Sequence, residues 1–290
     1  MGLFNRVGVA YDSLRQMAAG IESLFYIAGD SYRLAALRAH PHGTDPRYLV
    51  PYGYKVYSQG DEDGILVEIF RRIGTTDRRF VEFGVGPGTE NNTVALLLDG
   101  WSGTWIEARE KSVARIREGF APLIGSGRLG LTQAFILAEN IGELFRQNKV
   151  PAEFDLLSID IDGNDYWVWK ALDGYRPRVV VIEYNSSLGP RIEAKRRYDP
   201  KWAAKGSRRA HGASLKALEL LGKAKGYLLV GCGFRGGNAF FVREDLVGDA
   251  FLAPYTSEQH FEPPRHYMRF FTARRLSYQD IPYFFEKEQS

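Results

Sequence analysis

The chain has 290 residues, 44% of them hydrophobic and 25% charged, with a formal net charge of +3. A chain of this length buries a full core without disulfides or structural metals, and its single cysteine, Cys232, allows neither an intrachain disulfide nor a CxxC metal site. The charge balance is too even to argue for a nucleic-acid partner, and no window of about 18 uncharged apolar residues offers a membrane span. No signal-peptide core with a cleavage site follows Met1, and Gly2 lacks a clean myristoylation pattern. A cytoplasmic location is therefore expected. Cys232 lies in the apolar run Tyr227-Leu-Leu-Val-Gly-Cys232 and reads as a buried small hydrophobe.

In chain order, Leu14, Met17, Ile21, Leu24, Phe25 and Ala28 recur in steps that mark an amphipathic helix. Its apolar face packs on the domain, forms a homodimer contact or lies at a membrane interface. Pro41, Gly43, Pro46, Pro51 and Gly53 then mark a linker, so residues 1–54 form an N-terminal helical extension and linker. Ser58-Gln-Gly-Asp-Glu-Asp-Gly64 leads into a helix over Ile65–Ile73, with acids at its start and Arg71-Arg72 at its end, as the helix dipole favours.

Beyond it, short apolar runs alternate with helix-like segments. The predicted strands are Phe80–Phe83, Gly103–Ile106, Leu129–Gln133, Leu156–Ile161, Val179–Tyr184, Tyr227–Val230 and Ala239–Val242. The predicted helices are Asn91–Leu98, Lys111–Phe120, Ile141–Gln147, Tyr166–Leu172 and Leu215–Lys225. This alternation predicts an α/β domain over residues 55–248, a mostly parallel seven-stranded sheet with helices on both faces. The aromatic-rich residues 249–290 are expected to pack on it as an extension.

The strongest local signal is Phe80-Val-Glu-Phe-Gly-Val-Gly-Pro-Gly88, a strand carrying Glu82 followed by glycines at alternate positions. Glycine permits a tight turn and close approach of a ligand to the backbone. The GxGxG spacing differs from the GxGxxG of a dinucleotide site and resembles motif I of class I methyltransferases. The next strand, Gly100-Trp-Ser-Gly-Thr-Trp-Ile-Glu107, ends in an acid about 20 residues past the glycine loop, where a ribose diol needs an acceptor. Phe135, after the third strand, reads equally as an adenine contact or as core.

Phe154-Asp-Leu-Leu-Ser-Ile-Asp-Ile-Asp-Gly-Asn-Asp165 forms the fourth strand and its exit. Strand alternation puts Asp160 and Asp162 on one side, at the carboxyl edge where ligands bind, with Glu183 and Asn185 at the end of the fifth strand. The acids read as a general base, as ligands for Mg²⁺, or, for Asp162, Asn164 and Asp165, as caps of the following helix. His211, in His211-Gly-Ala-Ser-Leu215, is a second candidate base or a solvated loop histidine.

Tyr57-Ser-Gln-Gly-Asp-Glu-Asp-Gly-Ile65, Phe80–Gly86, Asn91-Asn-Thr93, Gly100–Glu107, Ile159–Asp165, Val181-Ile-Glu183 and Asn238-Ala-Phe-Phe-Val242 together resemble the FkbM-type class I methyltransferases over roughly residues 55–245. The resemblance implies a Rossmann-like fold and methyl transfer from S-adenosylmethionine to an oxygen, often a sugar hydroxyl. It implies a cofactor set of Glu82, Gly84, Gly86, Gly88 and Glu107, and Gln59, Asn92, Ala134, Phe135 and Asp160 are expected to join it. The resemblance implies Mg²⁺ ligands at Asp160 and Glu183, to which the residue pattern adds Asp162, and Asp162 and His211 are the expected catalytic residues. Many members carry one acid followed by Glu-Gly where this chain has Asp160-Ile-Asp-Gly163.

The expected acceptor is a small molecule or a glycan or glycolipid precursor. Residues 191–209 carry eight Lys or Arg against Glu193 and Asp199, interleaved with Tyr198 and Trp202. Arg196, Arg197, Tyr198, Trp202, Arg208 and Arg209, with Tyr184 and Asn185, are therefore the expected contacts of an anionic sugar. The competing readings are an NAD(P)-dependent oxidoreductase, disfavoured by the glycine spacing, and a nucleotide-binding module without chemistry, disfavoured by the retained Glu82, Glu107 and Asp160.

Overall fold

The computed structural model describes residues 2–201 and 212–265. The C-terminal aromatics from Tyr267 onward, with Trp202, Arg208, Arg209 and His211, lie outside the described residues. The chain opens with α1 (Gly2–Ala39) and α2 (Glu62–Ile73), followed by β1 (Arg79–Phe83), α3 (Val94–Leu98), β2 (Ser102–Glu107), α4 (Glu110–Gly119), α5 (Ala121–Gly125) and β3 (Leu129–Gln133). Then come α6 (Ile141–Gln147), β4 (Glu153–Ile159), α7 (Asp165–Ala171), β5 (Arg176–Glu183), α8 (Leu215–Ala224), β6 (Tyr227–Cys232), β7 (Asn238–Arg243), α9 (Glu244–Val247) and α10 (Ser257–His260).

The seven strands form one sheet in the order β3-β2-β1-β4-β5-β7-β6. Strands β1 to β5 pair in parallel, and β7 runs antiparallel to both β5 and β6. This is the mostly parallel, Rossmann-like sheet that the alternation predicts. Its order reverses between β1 and β4, and open α/β sheets bind ligands at the carboxyl end of such a switch point.

Period-two alternation sorts the strand residues onto two faces. Phe80, Trp105, Val179, Val181, Phe240 and Val242 pack with α2, α3 and α4, through Ile69, Leu97 and Ile116. Val81, Phe83, Ile106, Val180, Ile182 and Phe241 pack instead with α6, α7 and α8, through Phe145, Trp169 and Leu218. Both faces are dry, which is why the strands read as continuous apolar runs. Cys232 is buried on the second face, and burial pushes its thiol up, away from nucleophilic use.

Two of the boundaries that differ from expectation have local reasons. Strand β4 stops at Ile159 because the chain then turns through Asp162 with φ of 59°, a left-handed conformation that aspartate tolerates better than most residues. Helix α3 starts at Val94, since the N–H groups of Asn92 and Thr93 are already held by Glu82.

The end of α1 docks on the body. Arg33 donates to the carbonyls of Val50 (2.9 Å) and Gly53 (2.7 Å), and Ala36 and Leu37 pack against Tyr48, Val50, Phe234 and Leu252. The extension after Asp249 joins the same region, where the Tyr48 hydroxyl donates to Glu262 at 2.6 Å. No helix among the described residues is long and apolar enough to cross a membrane.

His260 ends α10 fully buried, and burial lowers its imidazole from 6.5 to about 4. The unfolded chain therefore binds the extra proton first, so stability contributed by neutral His260 is present above pH 6.5 and is lost as pH falls toward 4. The loss amounts to about 3 kcal/mol at its acid limit. Denaturant titrations between pH 7 and 4 should show that His260→Leu removes this part of the acid dependence.

Candidate functional site

A cavity of about 510 Å³ opens at the carboxyl edge of the switch point, within the size range of small-molecule sites. Its walls come from the exits of β1 (Gly84, Gly86, Thr89), β2 (Glu107, Ala108, Arg109), β3 (Ala134, Phe135, Ile136), β4 (Asp160, Asp162, Asn164) and β5 (Glu183), with Gln59 from the loop before α2.

The glycine loop is shaped by what its glycines touch. Gly84 has φ of 70°, and a Cβ there would lie 1.7 Å from the carbonyl oxygen of Asp160. Its N–H donates to Ile106 O at 3.1 Å, so the exits of three strands meet at one residue. Gly86 has φ of 56° and donates its N–H to Glu107 Oε2 at 2.8 Å. The other oxygen of Glu107 accepts from the N–H of Arg109 at 2.9 Å and from its Nε at 3.1 Å. A carboxylate offers about four lone-pair sites, so Glu107 keeps acceptor capacity while buried at the cavity wall.

Gln59 is placed by the turn before α2. There Asp63 accepts the N–H groups of Val56, Tyr57 and Ser58 at 2.6 to 2.8 Å, and Glu62 accepts those of Gly60 and Asn238 Nδ2.

Three residues of the implied cofactor set do not line the cavity. Glu82 is buried under the loop, where its carboxylate accepts Asn92 N, Thr93 N, Thr93 Oγ1 and Ser158 Oγ. Burial raises it to about 7 against the pull of those donors. Asn92 turns its amide to Ser158 Oγ at 3.1 Å. Gly88 faces the core, where a Cβ would press on Trp105 and Ile116. These residues set the shape of the loop from beneath.

The acid cluster differs from its expected membership. Carboxylate oxygens of Asp160, Asp165 and Glu183 lie within 4.8 Å of one another. Asp162 is exposed at the cavity wall outside that trio, because the left-handed turn at residue 162 breaks the strand alternation that would have paired it with Asp160. Asp165 enters instead, from the first turn of α7. It does not cap its own helix; its oxygens accept the N–H groups of Ile161 (2.8 Å) and Gly163 (2.7 Å) and close the turn.

Burial, then the charge of Glu183, raises Asp165 to about 7. Asp160 is held well above the carboxylate range by burial and by the charges of Glu183, Asp165 and Asp162. Clustered carboxylates of this kind favour a proton or a cation between them. As hard oxygen donors, Asp160 and Glu183 fit a Mg²⁺ ion, which is commonly held by one or two carboxylates. Asp165 has both oxygens engaged with backbone.

The acceptor set divides. Tyr184 is buried away from the cavity, donating its hydroxyl to Glu262 O at 2.8 Å and meeting the Phe261 ring. Asn185 is buried and caps the turn at 186–188 by accepting Ser187 N. Both corrections have one cause: β5 ends at Glu183, and the chain folds back beneath the extension.

The described start of the basic segment runs past the cavity mouth. The Tyr198 hydroxyl donates to Glu139 and accepts Ala138 N, Arg196 O accepts Trp167 Nε1 at 2.8 Å, and Asp199 O accepts the amide of Asn164 at 2.8 Å. Arg197 is exposed.

Sequence reasoning missed Arg109, Glu90 and Asn164 as wall residues. For Arg109 the signal was its place two residues after Glu107. Glu90 carries none, since its ion pair with Lys55 (3.0 Å) joins distant segments.

No family model matches the chain, and no curated protein does. Among solved structures the chain is similar to magnesium protoporphyrin IX methyltransferase from Synechocystis with bound S-adenosylmethionine, at 12% identity over 61% of this chain and 74% of that one, TM-score 0.38. It is similar to the O-methyltransferase from Bacillus cereus in complex with S-adenosylhomocysteine, at 18% identity over 75% and 88%, TM-score 0.40. A third is the CcbJ methyltransferase from Streptomyces caelestis, at 12% identity over 68% and 97%, TM-score 0.39. At these scores the likenesses carry no argument about the site, and its reading rests on its own geometry.

The contact of Gly84 with Asp160 can be tested directly. Gly84→Ala should cost at least about 2–3 kcal/mol, from backbone strain plus overlap. Gly100→Ala, at φ of 86° with nothing within 4 Å, should cost only the strain. Thermal melts of the two variants separate the terms.

Proposed function

We propose that the cavity binds S-adenosylmethionine and that the chain is an O-methyltransferase acting on a hydroxyl of a sugar or glycan. The observation that carries this reading is the charge of the wall: Glu90, Glu107, Asp160, Asp162 and Glu183 face one guanidinium, Arg109. Such a wall suits a cationic sulfonium and disfavours the pyrophosphate of NAD(P), which seeks free N–H groups and positive charge. Here the first such N–H group, that of Gly86, is given to Glu107.

In this reading the remaining lone pairs of Glu107 accept the ribose hydroxyls, the side-chain-free wall at Gly84 and Gly86 borders the amino-acid end, and Ala134 and Phe135 border the base. When bound, the cofactor supplies an electrophilic methyl group on a positively charged sulfur. Transfer of that methyl to an acceptor oxygen would leave the C–S bonding pair on sulfur, as a neutral thioether. The hydroxyl proton passes to a carboxylate at the mouth, for which exposed Asp162 is the assigned base, with His211 the alternative. A divalent ion held by Asp160 and Glu183 would lower the acceptor hydroxyl pKa.

The basic segment supports an anionic acceptor. Its described part is tied to Glu139 and Asn164 beside the mouth, and the segment carries eight Lys or Arg in its sequence against two acids, a positive charge that complements an anionic acceptor.

Two measurements test the reading. A charged hydrogen bond contributes on the order of 1.5–3 kcal/mol, so Glu107→Ala should weaken S-adenosylmethionine roughly ten- to hundred-fold by calorimetry; unchanged affinity in the folded variant would remove Glu107 from the site. Methyl transfer should fall on treatment with EDTA and return with Mg²⁺, whereas full activity after exhaustive chelation assigns the proton transfer to a metal-free base.

A further inference from the structure

Helix α1 is one unbroken helix of 38 residues, roughly 57 Å long. Its described contacts with the body come from its C-terminal end, through Tyr32 against the Phe234 ring, Arg33, Ala36 and Leu37. N-terminal to that end it carries large apolar side chains in the open: Leu14 is 66% exposed, Met17 63%, Ile21 54% and Leu24 66%. A contiguous apolar face of this kind marks an interaction surface.

The spacing identifies what covers it. Leu14, Met17, Ile21, Leu24 and Ala28 follow steps of three, four, three and four, and the same steps run back through Ala10 and Val7 in the sequence. Their mean of about 3.5 residues is the period of a seam between helices. A helix lying on an anionic membrane needs a polar face rich in Lys and Arg; residues 13–31 carry Arg15 against Glu22 and Asp30. Near-neutral charge also leaves two copies of the helix without mutual repulsion. Burying this seam from two copies removes on the order of 1,000 Å² from water, the lower bound of a stable interface.

We infer that α1 is a self-association element, pairing through the Leu14–Ala28 seam with α1 of a second copy of this chain. The pairing is independent of the methyl-transfer reading, since the seam lies apart from the cavity walls.

Light scattering after size exclusion, at tens of micromolar full-length protein, tests the inference. Wild type should run with at least twice the 32.8 kDa mass of one chain. Met17→Glu/Leu24→Glu should run as one chain with an unchanged thermal melt, because both positions are exposed. Gln16→Glu/Ser23→Glu, on the far side of the helix, should keep the wild-type mass. A wild-type mass of one chain, including a one-chain species that instead sediments with phosphatidylglycerol vesicles, overturns the inference. So does an oligomer that persists in Met17→Glu/Leu24→Glu.

Discussion

A main-chain contact between two strand exits organises the site. Gly84 leaves β1 so close to the carbonyl of Asp160 at the end of β4 that no side chain fits between them, while its N–H reaches Ile106 O on β2. Parallel strands hold their own spacing, but their exits diverge unless something joins them. Here the joint is backbone against backbone, and a glycine is the residue type that allows it. The turn through Gly86 and the bond from its N–H to Glu107 follow from where Gly84 puts the chain.

That geometry concentrates carboxyl groups. Glu82 beneath the loop and Asp165 in the β4 exit both sit near 7, chiefly because burial disfavours their charged forms. Asp165 spends its oxygens on backbone N–H groups and Glu82 on backbone N–H groups and two hydroxyls, so each acts as a structural tie for a turn bordering the cavity. Asp160 bears the consequence, raised by burial and by the charges of its acidic neighbours, Glu183 first. An edge built in this way costs stability in the empty protein and favours a ligand that brings positive charge, which is the physical link between the fold and the proposed sulfonium cofactor.

The parts of this arrangement that were legible in the sequence are the local ones. All seven strands show as apolar runs because both faces of the sheet are covered. The glycine loop and Glu107 show because each lies within a few residues of a strand end. What did not show depends on backbone turns and on distant partners. The positive φ at Asp162 exchanged it for Asp165 in the carboxylate trio. Tyr184 reads as a strand-end residue facing a ligand, yet Glu262, far along the chain, claims its hydroxyl. Glu82 reads as a ligand contact because it precedes the glycines, whereas its partners are the turn at Asn92 and Thr93 and the hydroxyl of Ser158 on β4.

The proposed function requires this acidic, glycine-edged cavity to select a sulfonium nucleoside over a dinucleotide. Calorimetric titration of the wild-type chain with S-adenosylmethionine and, separately, with NAD tests it most directly. Saturable one-site binding of S-adenosylmethionine and no heat from NAD at the same concentrations are the expected results. Binding of NAD with no response to S-adenosylmethionine would contradict the proposed function.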